Sequence, residues 1–117
     1  MSTFTKQPLS GSTNGLGIKI AATGSPGTLL HTAIAGITSW DEVWLWIMNT
    51  SAADCLATIQ FGGTTAVDND LILTIASKDA PKCICPGFIL QNGLLIKAYA
   101  GTTNVLVAYG FVNRIAP

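Results

Sequence analysis

Residues 41–51, Asp-Glu-Val-Trp-Leu-Trp-Ile-Met-Asn-Thr-Ser, constrain the fold of this chain more than any other stretch. Strict alternation puts Val43, Leu45 and Ile47 on one face of a strand and Glu42, Trp44, Trp46 and Met48 on the other. A strand with one solvated side carries polar residues on that side. Apart from Glu42 at its start, neither face reads as polar, so the strand needs two apolar surfaces, and a small domain offers one core. Each tryptophan can bury on the order of 200 Å². At ~25 cal/mol/Å² the pair places up to about 10 kcal/mol on covering the second face.

The remaining sequence divides into short apolar runs separated by turn residues. Leu16–Ala22 reads as a strand with Leu16, Ile18 and Ile20 inward, ending at Thr23-Gly24-Ser25-Pro26-Gly27. Thr28–Ile34 follows, with Leu30 and Ile34 on one face and Leu29, His31 and Ala33 on the other. In Asp54–Phe61, Cys55, Ala57, Ile59 and Phe61 oppose Asp54, Thr58 and Gln60, the pattern of a half-exposed strand. Leu71–Ala76 shows Leu71, Leu73 and Ile75 on one side. Lys82–Cys85 is short and is expected to stop at Pro86-Gly87, leaving Phe88–Leu90 as a brief apolar piece. Gln91-Asn92-Gly93 carries the strongest hairpin signal, before Leu94–Ala100. Asn104–Arg114 closes the pattern with Leu106, Ala108 and Val112 on one face and Val105, Val107, Tyr109 and Phe111 on the other. No amphipathic helix competes with these runs. The expectation is an all-β protein, an antiparallel β-sandwich of about eight strands with a jelly-roll-like wrap. Residues 1–16 lack periodicity and read as an extended N-terminal arm, with residues 17–117 forming a single β-sandwich domain.

Composition bears on the uncovered second face. The 117 residues are 49% hydrophobic and 10% charged, with a formal net charge of zero, against about 25% charged residues in ordinary soluble domains. Low charge and zero net charge favour association, so the second face is expected to meet another copy of the chain. The basic residues are scattered, which argues against nucleic acid. No apolar run approaches the ~20 residues of a membrane helix. Residues 1–16 contain no apolar stretch of signal-peptide type. Three cysteines, an odd number, suit a reducing cytoplasm better than a disulfide-stapled secreted domain. Asn49-Thr50-Ser51 matches an N-glycosylation pattern, read here as accidental.

No constellation names a reaction, and the chain is read as a non-enzyme without cofactor or metal. His31 is the only histidine and lies among strand apolars, where a structural role outweighs general acid–base work. The aspartates, Asp41 among them, fall at strand starts or in loops, where carboxylates commonly bond turns. Cys83 and Cys85 share a face if their strand is regular; with Cys55 and His31 they would make a zinc set, but small buried hydrophobes explain them as well. Trp44 and Trp46 on a common face also fit a sugar-stacking platform, so a carbohydrate-binding β-sandwich is the alternative reading. Face assignment puts Trp44, Trp46 and Met48 at a self-association surface, with Tyr109 and Phe111 beside them. Phe4, Lys6 and Leu9 of the arm are the candidates for contact with a larger partner.

The order of motifs then becomes suggestive: Asp41-Glu42-Val43-Trp44-Leu45-Trp46, Asn49-Thr50-Ser51, Phe61-Gly62-Gly63, Pro86-Gly87, Leu90-Gln91-Asn92-Gly93, and Tyr109-Gly110-Phe111-Val112-Asn113-Arg114. From Trp40 to Arg114 the chain resembles small β-rich virion proteins of tailed bacteriophages, and more loosely their jelly-roll capsid decoration, or cement, proteins. The motifs are structural, and the first forty residues match only in being turn-rich. The resemblance implies a homodimer or homotrimer, made in the bacterial host cytoplasm. It would bind the major capsid protein on the outer capsid surface of the virion and stabilise the shell. A tail or head–tail structural component is a further alternative.

Overall fold

A computed structural model describes residues 3–117, and the first two residues of the expected arm lie outside the described residues. Nine strands are present in the described chain: β1 (Thr3–Pro8), β2 (Ile18–Ile20), β3 (Thr28–Thr32), β4 (Trp40–Asn49), β5 (Cys55–Phe61), β6 (Asp70–Ile75), β7 (Lys82–Leu90), β8 (Leu95–Ala100) and β9 (Leu106–Ala116). They form two antiparallel sheets. In one, the order is β1-β9-β4-β7, with β2 also paired to β9; in the other it is β3-β8-β5-β6. The pairs β2–β9, β3–β8, β4–β7 and β5–β6 are nested one inside the next. That nesting is the double-sheet jelly-roll wrap, so the expected β-sandwich is the observed fold.

Alternation puts the apolar residues between the sheets. Val43, Leu45 and Ile47 of β4, Ala57 and Ile59 of β5, Ile96 and Ala98 of β8, and Leu106, Ala108 and Val112 of β9 are all buried in one cluster. The observed β4 differs from the sequence reading by only a residue or two at each end, and its two faces are as read.

Irregular elements account for the departures. Residues 3–8 are not a free arm: β1 pairs along β9 from Thr3↔Ala116 to Pro8↔Phe111. A strand held by its backbone at a sheet edge needs no apolar period, so none was visible. Leu16, expected inward, is exposed because β2 begins only at Ile18. Lys82–Leu90 is one strand, its register shifting at Val43/Trp44 and at Leu45/Trp46 of β4. Those bulges accommodate Pro86 and Gly87 on an edge strand, where a missing N–H is tolerated. In β5, Thr58 and Gln60 are buried, not exposed as expected. The Gln60 amide accepts from the Gly27 N–H at 2.9 Å and donates to Ser25 Oγ at 2.9 Å, fastening the β2–β3 loop over that side. Asn92 and Gly93 do form a left-handed turn, with φ of 63° and 67°. They join β7 in one sheet to β8 in the other, however, and so make no hairpin.

Candidate functional site: an aromatic sheet face

β4 and β9 lie side by side in the five-stranded sheet and set the geometry of its outer face. Their register pairs Trp44 with Phe111, Trp46 with Tyr109 and Met48 with Val107. Trp44, Trp46 and Phe111 form a nearly equilateral triangle, with centroids 6.2, 6.2 and 6.1 Å apart and planes inclined by 20°, 13° and 29°. Offset, near-parallel rings at this separation attract one another beyond simple area burial. The three rings and Met48 are half-buried, and Tyr109 beside them is exposed. The structure thus places all five residues of the expected self-association group on one face.

Polar groups edge the triangle. Glu42 accepts the Trp44 indole N–H at 2.7 Å and an Asn113 amide N–H at 3.1 Å, and these two bonds hold its carboxyl below the usual range. From β1, the Lys6 ammonium sits 4.3 Å from the Phe111 ring centre, a cation–π contact. Lys6, expected to reach a partner through a free arm, therefore joins the aromatic face. Phe4 is 71% exposed and stays available. Leu9 is corrected outright: it is buried in the core, where no partner can reach it.

Sequence reasoning missed a second cluster, inside the sandwich. A register shift between Leu29 and His31 adds one residue to β3, so Leu30 and His31 both face inward. The Ser10 backbone N–H donates to His31 Nδ1 at 3.0 Å, leaving the ring proton on Nε2, which donates to Asp41 Oδ2 at 2.7 Å. Arg114 grips the same carboxylate in bidentate fashion, Nε to Oδ1 at 2.8 Å and Nη2 to Oδ2 at 3.0 Å, and the Ile34 N–H adds a bond at 3.1 Å. Burial pushes the His31 ring below its ordinary value and outweighs the opposing pull of Asp41. For Asp41 burial pushes upward, but the hydrogen bonds and charges of Arg114 and His31 together bring it below its ordinary value. Both ring nitrogens of His31 are engaged, which leaves neither free to activate a nucleophile. A signal did exist in the sequence: Asp41 has the same parity as Val43, Leu45 and Ile47, and a carboxylate on a buried face demands partners.

Asn49 continues that parity. Its buried amide donates to the carbonyls of Ala53 (2.8 Å) and Ile75 (3.0 Å) and accepts from the Ser51 N–H (2.9 Å) and hydroxyl (2.8 Å). With all four bonds made, the glycosylation pattern offers no accessible acceptor in the folded chain. Cys83 is exposed whereas Cys85 is buried, because the register shift opposite them breaks the alternation. Burial, and to a lesser degree Cys83, push the Cys85 thiol up to about 12, so at neutral pH it stays a protonated, inert group. A cavity of about 240 Å³ opens between the Gly62–Thr64 loop and the Gly93–Leu95 turn, with Lys97 at its side, and it includes none of the candidate residues.

Comparison with protein-family models, with curated proteins and with solved structures finds no match to this chain.

Proposed function

We propose that this protein is a structural virion component of the decoration, or cement, type, which self-associates through the outer face of its five-stranded sheet and binds the major capsid protein on a phage head. The observation that carries the reading is the Trp44–Trp46–Phe111 triangle, an aromatic cluster on the side of the sheet away from the core. Low charge supports association, and the jelly-roll wrap agrees with the proteins the chain resembles. The face belongs to a second copy; exposed Phe4 on the edge strand is the candidate contact for a capsid subunit.

Sedimentation at micromolar concentration tests the first half of the proposal. A dimer or trimer is expected, and Trp46→Ala should shift it towards monomer while the far-ultraviolet β signal persists. A wild-type monomer, or an unchanged mass for Trp46→Ala, would overturn self-association through this face. Co-purification with phage heads, with density on the outer shell by cryo-electron microscopy, tests the second half.

One observation favours a carbohydrate platform as the second reading: the three rings are near-parallel, with Glu42 and Asn113 beside them as hydrogen-bonding groups. Glycan binding by a monomer, lost in Trp44→Ala, would select it.

A further inference from the structure

The segment between β1 and β2 is fastened to β3 by three hydrogen bonds. Ser10 N–H donates to His31 Nδ1 (3.0 Å), Gly11 N–H to the Leu30 carbonyl (2.9 Å), and Thr32 N–H to Ser10 Oγ (2.6 Å). Leu9 is buried in the core just ahead of them. The packing is close at Gly11, where a Cβ would come within 2.7 Å of the Leu29 and Leu30 carbonyl oxygens. β1 itself has five of its six residues exposed, so its hold on the molecule is backbone pairing with β9 together with this clip. One of the three bonds ends on a titratable atom that has to be unprotonated.

We propose that His31 is a pH-operated latch for the N-terminal strand: closed while Nδ1 is a lone pair, released when a proton from solvent occupies it. The protonated imidazole has two donors and no acceptor. Its Nδ1–H would then face the Ser10 N–H across a 3.0 Å gap, and two donors at that separation repel. The Nε2–H keeps its bond to Asp41, so the ring stays in place and the Ser10 segment is the part that moves. Gly11 and the Ser10 hydroxyl leave with it, and Leu9 loses its seat.

The charged groups around His31 set where this happens. Asp41 faces it from β4 and Arg114 from β9, bound to each other in bidentate fashion. β8 places the apolar Ile96 opposite His31 in the sheet. The clip segment Leu9–Ser12 carries no charged side chain. Burial pushes the transition below the ordinary histidine value of 6.5, so the latch is closed at neutral pH and opens on acidification.

The sole histidine makes the test direct. Nitrogen-15 chemical shifts of the ring should show the Nε2–H tautomer at neutral pH and a titration below pH 6.5. Amide exchange, corrected for its intrinsic pH dependence, should lose at least tenfold protection at Ser10 and Gly11 through that titration, while β5 amides such as Ile59 keep theirs. In His31→Gln the Ser10 and Gly11 protection should no longer vary with pH. An unchanged Ser10 and Gly11 through the histidine titration would overturn the latch. So would equal loss at Ile59, or a pH dependence that persists in His31→Gln. If that variant does not fold, the wild-type titration alone returns one of these answers.

Discussion

Asp41 opens the tryptophan strand yet faces inward, and it is the residue on which the interior charge arrangement turns. It accepts from His31, Arg114 and the Ile34 backbone. Removing one partner of a buried ion pair leaves the others unsatisfied and costs about 3–5 kcal/mol. Asp41→Ala is accordingly expected to lower stability by that order in urea unfolding, and a loss under about 1 kcal/mol would mean that Arg114, 27% exposed, is satisfied by solvent alone. The same cluster sets the response to acid. His31 and Asp41 both titrate below their ordinary values of 6.5 and 3.8 when folded. Between its folded and ordinary value each group is more protonated in the unfolded chain, so the unfolded state binds more protons and stability rises with pH. The urea midpoint should therefore be level at neutral pH, fall as acidification passes below 6.5 through His31, and fall again below 4.5 and 3.8 through Glu42 and Asp41. In alkali above 9.0 it should fall too, because there the unfolded chain releases a Cys85 proton that the folded chain keeps. His31→Gln should remove the first acid stage. A midpoint that rises on acidification below 6.5 would show that the folded chain prefers a charged His31.

At the scale of elements, the β4–β9 pair positions the aromatic face, and its spacing depends on a glycine. Gly110 lies opposite Leu45 in the register, and a Cβ there would collide with the Trp44 carbonyl. Gly110→Ala has to push the two strands apart or bend β9, an overpacking cost of about 1–3 kcal/mol. It should lower the unfolding temperature and disturb the Trp44–Phe111 stack; near-ultraviolet circular dichroism of the tryptophans reads the second effect. An alanine variant with unchanged melting and spectrum would show that the pair is looser than its register implies. β7 makes a different compromise. Gly87, at φ 86°, brings the backbone to the Trp44 ring, where a Cβ would sit 3.2 Å from Cζ2. Pro86 and the two register shifts also make this edge a poor template for further strand pairing. β3 and β7 are where bulges break the alternation: the single shift on β3 turns His31 inward, and of the two on β7 the one opposite Leu45/Trp46 splits Cys83 from Cys85.

Across the whole molecule, the nested strand pairs enclose one core, and the five-stranded sheet carries a second apolar surface outside it. Part of the cost of that surface is met within the chain, by ring stacking, by the Glu42 bond to Trp44 and by Lys6 over Phe111. Exposed apolar groups remain around it, including Tyr109 and, across β4, Ile89 opposite Glu42. The self-association prediction therefore belongs to this scale: it depends on the sum of a face, and Trp46→Ala removes the central part of that sum. The N-terminal strand contributes to the same face and is tied to the other sheet through His31, so release of the latch and assembly draw on neighbouring groups.

Alternation and turn chemistry by themselves determined that this chain is a β-sandwich and that Val43, Leu45 and Ile47 face its core while Trp44, Trp46 and Met48 face away. Side-chain direction in a regular strand is a local property of the backbone. Low charge and the absence of a polar face on the tryptophan strand were equally legible. Only the tertiary structure decided that residues 3–8 complete a sheet, because an edge strand held by backbone bonds leaves no apolar signature. Only it brought Ser10, His31, Asp41 and Arg114 together, since a bulge reverses parity without marking the sequence and long-range partners meet through topology. Hydrophobic period is written residue by residue; hydrogen-bond satisfaction is settled between strands that the sequence keeps far apart.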